Sequence, residues 1–238
     1  MKKIFSFVLV LYVFSFGIEQ KQCTYKYFVS LSGGYLTPIG DVKNLFKSAS
    51  TFQVNLNYRL TKKILAFGEF TIGSFPPVFK HENFGYEQDR RLYNFSTGLG
   101  FYLWQSKNPL VYHYYYLLEP QSGLIFYTDI GYYYHALIFR ILQIRRDLWE
   151  EGDINFARYG FGFAPSLYFY KIFDFGFGYP VGIGIKLRYN FVNTKPLHSS
   201  YYYFDGEDFT KIRTPYPNSL NENYFQINLY FSIFNINF

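Results

Sequence analysis

Cysteine occurs once, at Cys23, so neither a disulfide framework nor a cysteine metal site can organise this chain. Gln22 before it is not the small residue that a lipoprotein signal requires, and Cys23 reads as a lone thiol. Beyond the first segment no stretch reaches the roughly 20 uninterrupted apolar residues of a membrane helix. The formal charge is only +6, and no basic run interleaved with aromatics occurs in a loop, which argues against a nucleic-acid interface. Phosphate loops, zinc-ligand spacings and haem motifs are all missing, so no metal and no cofactor is expected.

What the chain has in abundance is aromatic residues, a quarter of its 238 positions, with 30 Phe and 27 Tyr. It opens on Met1-Lys2-Lys3 and an apolar run from Ile4 to Phe16, too short to span a bilayer as a helix. A short basic head and a short greasy body are the pattern of a secretory signal. Ser15 and Gly17 stand at the −3 and −1 positions for cleavage before Ile18. Residues 1–17 are therefore expected to be a signal peptide and 18–238 a single domain.

Apolar residues in that domain alternate with polar ones, over about 26–36, 51–60, 64–74, 92–103, 124–135, 157–169, 181–191 and 224–238. In the second run Phe52, Val54, Leu56, Tyr58 and Leu60 oppose Thr51, Gln53, Asn55, Asn57 and Arg59. In the seventh, Val181, Ile183, Ile185, Leu187, Tyr189 and Phe191 oppose Gly182, Gly184, Lys186, Arg188 and Asn190. The charges within the runs, Lys26, Arg59, Glu69, Asp129, Arg158, Lys186 and Arg188, all fall on the polar phase. A charge facing lipid near the midplane costs a few kcal/mol, whereas one facing a lumen can be paired or hydrated. A soluble barrel would invert this, with its apolar face inside. The apolar face, with Tyr93, Phe95, Phe101, Tyr159, Phe161, Phe163 and Phe169, is too large to leave in water. The fold class expected is all-β, an antiparallel transmembrane β-barrel of eight strands.

Connections are long at 37–50, 75–91, 136–156 and 192–223, short at 61–63 and intermediate at 170–180. Outer-membrane barrels pair short periplasmic turns with long external loops, so the long set is expected outside and both termini in the periplasm. The segment 104–123, with Tyr112, Tyr114, Tyr115 and Tyr116, is long where a turn belongs. It is either an excursion or strand extension, or it holds two further strands that would make ten.

These residues resemble those of the small outer-membrane β-barrel proteins of the OmpA-like transmembrane-domain and attachment-protein type. The resemblance rests on Ser32-Gly33-Gly34-Tyr35 with Pro38-Ile39-Gly40-Asp41, on Asn57-Tyr58-Arg59-Leu60-Thr61, and on Phe67-Gly68-Glu69-Phe70. Gly182-Ile183-Gly184-Ile185-Lys186-Leu187-Arg188-Tyr189 extends it towards the end. Terminal Phe238 with Ile236, Phe234 and Tyr230 is similar to the signal read by the barrel-assembly machinery, from which Ser232 departs. The apolar phase slips between Ile233 and Phe234, which predicts a β-bulge there. The resemblance implies a bacterial outer-membrane location, with membrane lipid and the assembly machinery as partners and porin-like architecture. It specifies no activity.

Bulky residues on the inward phase, Phe28, Leu65, Phe67, Tyr102, Tyr127, Tyr133 and Tyr168, are expected to fill an eight-stranded interior. Arg59, Glu69, Asp129, Arg158, Lys186 and Arg188 are expected to form a lumen network of ion pairs and hydrogen bonds, rather than a proton or ion path. His198 and Ser200 faintly resemble the His-x-Ser of outer-membrane lipid A deacylases, although Tyr201 replaces that family's Asn. The competing reading of the pair is a polar loop. Asp205, Glu207 and Asp208 lack an ordered calcium-loop spacing and read as a solvated acidic loop. Tyr201, Tyr202 and Tyr203 read as part of an aromatic girdle. The role expected is structural or interactive, through external loops that meet an unidentified ligand or protein; a lipid A-modifying hydrolase and a narrow pore are the alternatives.

Overall fold

The computed structural model describes residues 25–44, 46–75, 87–107, 121–145, 148–173, 180–197, 200–204, 209–213 and 218–236. The expected signal segment, Cys23, His198, the carboxylates Asp205, Glu207 and Asp208, and terminal Phe238 lie outside these residues. Among the described residues ten strands follow in chain order: β1 (Tyr25–Ile39), β2 (Ala49–Arg59), β3 (Ile64–Phe75), β4 (Glu87–Gln105), β5 (Ser122–Arg145), β6 (Leu148–Phe173), β7 (Val181–Pro196), β8 (Ser200–Phe204), β9 (Phe209–Arg213) and β10 (Leu220–Ile236). Eight of them close into one barrel in the order β1-β2-β3-β4-β5-β6-β7-β10, with β10 returning to β1. Every pairing is antiparallel, as between Gly33 and Leu229 at the closure. Closure leaves no free sheet edge around the wall, so the backbone is satisfied without water.

All eight expected barrel strands are present. The remaining pair, β8 and β9, forms a separate two-stranded hairpin inside the β7–β10 connection. The ten-strand alternative through 104–123 falls, because β4 pairs directly with β5 from Gln105–Gly123 onwards. All four long connections are also shorter than expected. β5 and β6 remain paired up to Arg145–Leu148, so most of 136–156 is strand, and 192–223 begins and ends in β7 and β10. The first connection turns at Gly40, whose φ of 72° is left-handed and suits glycine, into one turn of 3-10 helix over Gly40–Asn44.

Alternation fixes which side chains enter the barrel. Along β2 the burial alternates strictly, with Thr51, Gln53, Asn55, Asn57 and Arg59 buried and Phe52, Val54, Leu56 and Tyr58 exposed on the outer wall. β7 repeats this with Ile183, Ile185, Leu187 and Phe191 outside. The outer wall is consequently apolar and the interior mixed, the reverse of a water-soluble protein.

Phe234 departs from the expected slip of phase. It is buried inside the barrel and stacks on Phe28 with ring centroids 4.8 Å apart, while Ile233 stays outside. The register irregularity lies one step further on, between the Phe28–Phe234 and Tyr25–Ile236 pairs. An aromatic on the inward phase is accommodated because this end of the lumen is itself aromatic.

One packing test follows from the wall. A Cβ at Gly184 would lie 2.4 Å from the Tyr168 ring and 2.6 Å from the Phe169 carbonyl, whereas one at Gly68 would meet nothing within 4 Å. Gly184→Ala should destabilise the barrel by about 1–3 kcal/mol, with Ser and Arg progressively worse, while Gly68→Ala stays near neutral. Urea unfolding of both variants in lipid vesicles checks this. Equal midpoints would show that Gly184 does not face Tyr168.

Candidate functional site

The lumen is built in layers. At the end that carries the β2–β3 turn, Phe28, Leu65, Phe67, Ile125, Tyr127, Tyr168, Tyr170, Ile172, Tyr230 and Phe234 pack into one cluster, with half-buried Tyr102 against it. Arg59 belongs to this end: its Nε donates to the Thr61 carbonyl at 3.3 Å, its Nη2 to that of Lys62 at 3.2 Å, and its guanidinium lies over the Tyr102 ring. It closes the turn and is not part of the central ion pairs.

Next comes a four-membered ionic layer. Lys186 Nζ donates to Glu69 Oε2 at 2.7 Å, and Arg188 Nη1 donates to Glu69 Oε1. Arg188 Nη2 donates to Asp129 Oδ1 at 2.6 Å. Asn55 Nδ2 and the Tyr230 hydroxyl each approach Glu69 Oε2 at 3.1 Å. Two carboxylates thus face two cations, so the layer is neutral as a unit, the condition under which buried charges are tolerated. The Lys186 ammonium also sits over Phe67, Tyr127 and Tyr230, at 5.3, 5.0 and 5.6 Å from the ring centroids. Beside it a cavity of about 10 Å³, lined in part by Ser30, Asn55, Asn57 and Tyr168, has room for about one water molecule.

A second charged layer lies nearer the loop end, and here the six expected network residues part company. Arg158 donates through Nε to Thr194 Oγ1 at 3.2 Å and through Nη2 to the Asn218 carbonyl at 2.7 Å. Its partners are Glu222, 3.8 Å away, and through it His135, whose Nδ1 lies 3.0 Å from Glu222 Oε2. Thr194 Oγ1 and the Tyr224 hydroxyl donate to the same carboxylate. Neither His135 nor Glu222 stood out in the sequence, because Glu222 fell inside the long connection 192–223. Parity would have found both. Glu222 continues the inward series Gln226, Asn228 and Tyr230, and His135 continues Asp129 and Tyr133. A carboxylate that orients an imidazole is a component of acid–base catalysis. Here both side chains are fully buried, and the pair braces the lumen between β5 and β10, which are not adjacent in the wall.

Over this layer the barrel mouth is closed by the first connection. Val42 and Phe46 are buried with Leu36, Ala49, Phe75, Leu92 and Tyr224. Phe46 contacts Phe75 at 6.2 Å between centroids, and Phe75 contacts Tyr224 at 5.3 Å. Part of the expected loop 37–50 is therefore a stopper.

Beyond the stopper the chain offers surface. β6 pairs with β7 only as far as Arg158–Pro196, and β4 with β5 only as far as Glu87–Arg140, so the β5–β6 hairpin stands above the wall. The β8–β9 hairpin belongs to the β7–β10 connection at the same end, and Ser200 opens β8 opposite Arg213. Of the expected assembly residues, Tyr230 and Phe234 point into the lumen, and Ile236 ends β10.

No protein-family model matches the chain, and no curated protein is similar to it. Among solved structures it is similar to Neisserial surface protein A, with 9% identity over 87% of this chain and 96% of that one, at a TM-score of 0.47. It is similar to Ail, the attachment invasion locus protein of Yersinia pestis, with 10% identity over 89% and 99% at 0.42. It is also similar to the outer membrane protein OprG from Pseudomonas aeruginosa, with 11% identity over 89% and 94% at 0.47.

Proposed function

We propose that this chain is an integral protein of the bacterial outer membrane that acts through contacts made at its loop end, with a barrel serving as a closed, rigid mount. The observation that carries the reading is the pairing of an apolar outer wall with a filled lumen. Phe52, Phe95, Ile130, Phe161, Leu229 and Phe231 are each about half or more exposed, a pattern suited to lipid and unsuited to water. Inside, the aromatic cluster, the two ionic layers and the stopper occupy the bore. What remains for specific recognition is the raised β5–β6 hairpin and the β8–β9 hairpin of the β7–β10 connection, since irregular and projecting segments on a rigid scaffold are where binding concentrates.

Two measurements test it. The folded protein in a planar bilayer should show no steady conductance, and stable open steps would promote the pore reading. Protease added to intact cells should cut within 76–86, 146–147 or 197–219. Cleavage confined to 60–63 or 106–121 would place the loop end inside and overturn the orientation.

A further inference from the structure

Above the barrel wall β6 has one paired edge and one open edge. On one side β5 holds it, from the Ala136–Ala157 pair up to the Arg145–Leu148 pair. On the other side the ladder with β7 ends at Arg158–Pro196, and among the described residues no strand pairs with that edge over 148–156. The register nevertheless carries one step further, because Leu197 N donates to the Ala157 carbonyl at 2.8 Å. In a strand every second residue turns its N–H and C=O to the same edge, so Asn155, Asp153 and Glu151 direct theirs to the open side with Ala157. Such a row of backbone donors and acceptors is a template for a further strand.

The strand that fits is close at hand in the chain. β8 opens at Ser200, shortly after β7 ends at Pro196. Carried on without a shift, the β6–β7 register sets Ile154 opposite Ser200, Gly152 opposite Tyr202 and Glu150 opposite Phe204. The interval from Pro196 to Ser200 equals that from Arg158 to Ile154, so extended chain at about 3.3 Å per residue reaches with no bulge. The other edge of β8 is already taken by β9, from Ser200–Arg213 to Phe204–Phe209, so the hairpin has one edge to offer. Charge favours the same match. The open stretch of β6 contains Glu150, Glu151 and Asp153, of which Asp153 is opposite Arg140 on β5, whereas β9 contains Lys211 and Arg213 and no acid.

We infer that β8 zips onto the open edge of β6, so that the β8–β9 hairpin closes as a strap and the raised ribbon becomes a sheet in the order β5-β6-β8-β9. In the structure the hairpin is a separate two-stranded sheet, which is the open arrangement of the strap. Closing it orders little additional chain, because the segment joining β7 to β8 is short. The closed arrangement withdraws the β6 edge from any other strand, and the open one presents it. The inference concerns chain above the wall and does not depend on the solvent around the barrel.

The test is disulfide trapping in the folded full chain, with the sole cysteine removed as Cys23→Ser. Ile154→Cys with Ser200→Cys, and Gly152→Cys with Tyr202→Cys, place thiols at non-hydrogen-bonded neighbours, where Cα atoms about 4.5 Å apart suit a disulfide. Gly152→Cys with Tyr203→Cys places them on opposite faces of the sheet. Mild oxidation should bridge both in-register pairs at least about tenfold faster than the out-of-phase pair, read by gel mobility without reductant. Equal rates in all three, or no bridge in any, overturns the strap. If the cysteine variants do not fold, hydrogen exchange of the unaltered chain decides. The amides of Glu151 and Asp153 should exchange at least about tenfold more slowly than in an unfolded chain, alongside those of Gly152 and Ile154, which face β5. Tyr203→Pro, which removes the N–H opposite Glu151 on the β6 side of β8, should return Glu151 and Asp153 to fast exchange and leave Gly152 and Ile154 slow. Fast exchange at 151 and 153 in the unaltered chain, beside slow exchange at 152 and 154, overturns the inference.

Discussion

Replacing Arg188 with leucine is expected to cost the folded barrel about 3–5 kcal/mol, the scale of breaking a buried ion pair by removing one partner. The reason is specific to how the central layer divides its charges. Glu69 retains Lys186, Asn55 and Tyr230 when Arg188 is gone, but Asp129 loses the guanidinium that donates to it at 2.6 Å. Asp129 is 1% exposed and cannot turn to solvent. The stranded carboxylate, more than the lost attraction, is the destabilising element. Removing Asp129 as well should therefore repair most of the damage, because Glu69 and Lys186 then remain as a balanced pair. Arg188→Leu with Asp129→Leu should recover at least half of the loss, a coupling that a double-mutant cycle reads directly. Urea unfolding in vesicles, followed by aromatic fluorescence, measures all four proteins. If the two single losses simply add, Arg188 and Asp129 do not share the layer described here.

How far this layer could be read from the sequence depends on a parity argument. In an antiparallel barrel every second residue enters the lumen, so Glu69, Asp129, Lys186 and Arg188 were placed inside by phase alone. Phase says nothing of height along the bore. For that reason Arg59 and Arg158 were grouped with the other four, although one closes a turn at the aromatic end and the other binds Glu222 near the mouth. Height follows from inter-strand stagger, which depends on the register of pairs such as Lys186–Asn228 and Asn55–Glu69.

The same limit explains the other differences. Strand existence was legible because alternation persists wherever one face meets lipid. It faded in Leu137-Ile138-Phe139 and Ile141-Leu142, where consecutive apolar residues hide the period, and there β5 and β6 run on above the barrel. The stopper was hidden for a different reason. Val42 and the pair Leu45-Phe46 are short apolar steps among polar residues with no strand period, and the left-handed turn at Gly40 begins that segment. Phe234 misled because an inward aromatic next to outward Ile233 looks like a change of phase, although it joins the same inward aromatic set as Phe28 and Tyr168.

The outer wall supplies the sharpest test of the solvent it was built for. Leu187 is 42% exposed and pairs with outward Ile227 on β10 and outward Leu167 on β6. Its neighbour Arg188 points the other way, so positions 187 and 188 differ only in which side of the wall they face. Leu187→Arg should destabilise the barrel in lipid by about 2–4 kcal/mol, and Ile185→Arg by a similar amount. Leu197→Arg, beyond the end of β7 at the loop end and 49% exposed, should cost less than about 1 kcal/mol, because the penalty for a charge fades near the interface. The comparison is made on the three variants refolded into the same vesicles, with unfolding followed by gel mobility and fluorescence. The gradient between 187 and 197 separates a lipid-facing wall from a merely crowded one, since both side chains are about equally exposed and differ in depth along the wall. Equal stability of Leu187→Arg and the parent would mean that water reaches the middle of the wall. The apolar exterior would then have to be covered by protein, and the membrane assignment would fail with it.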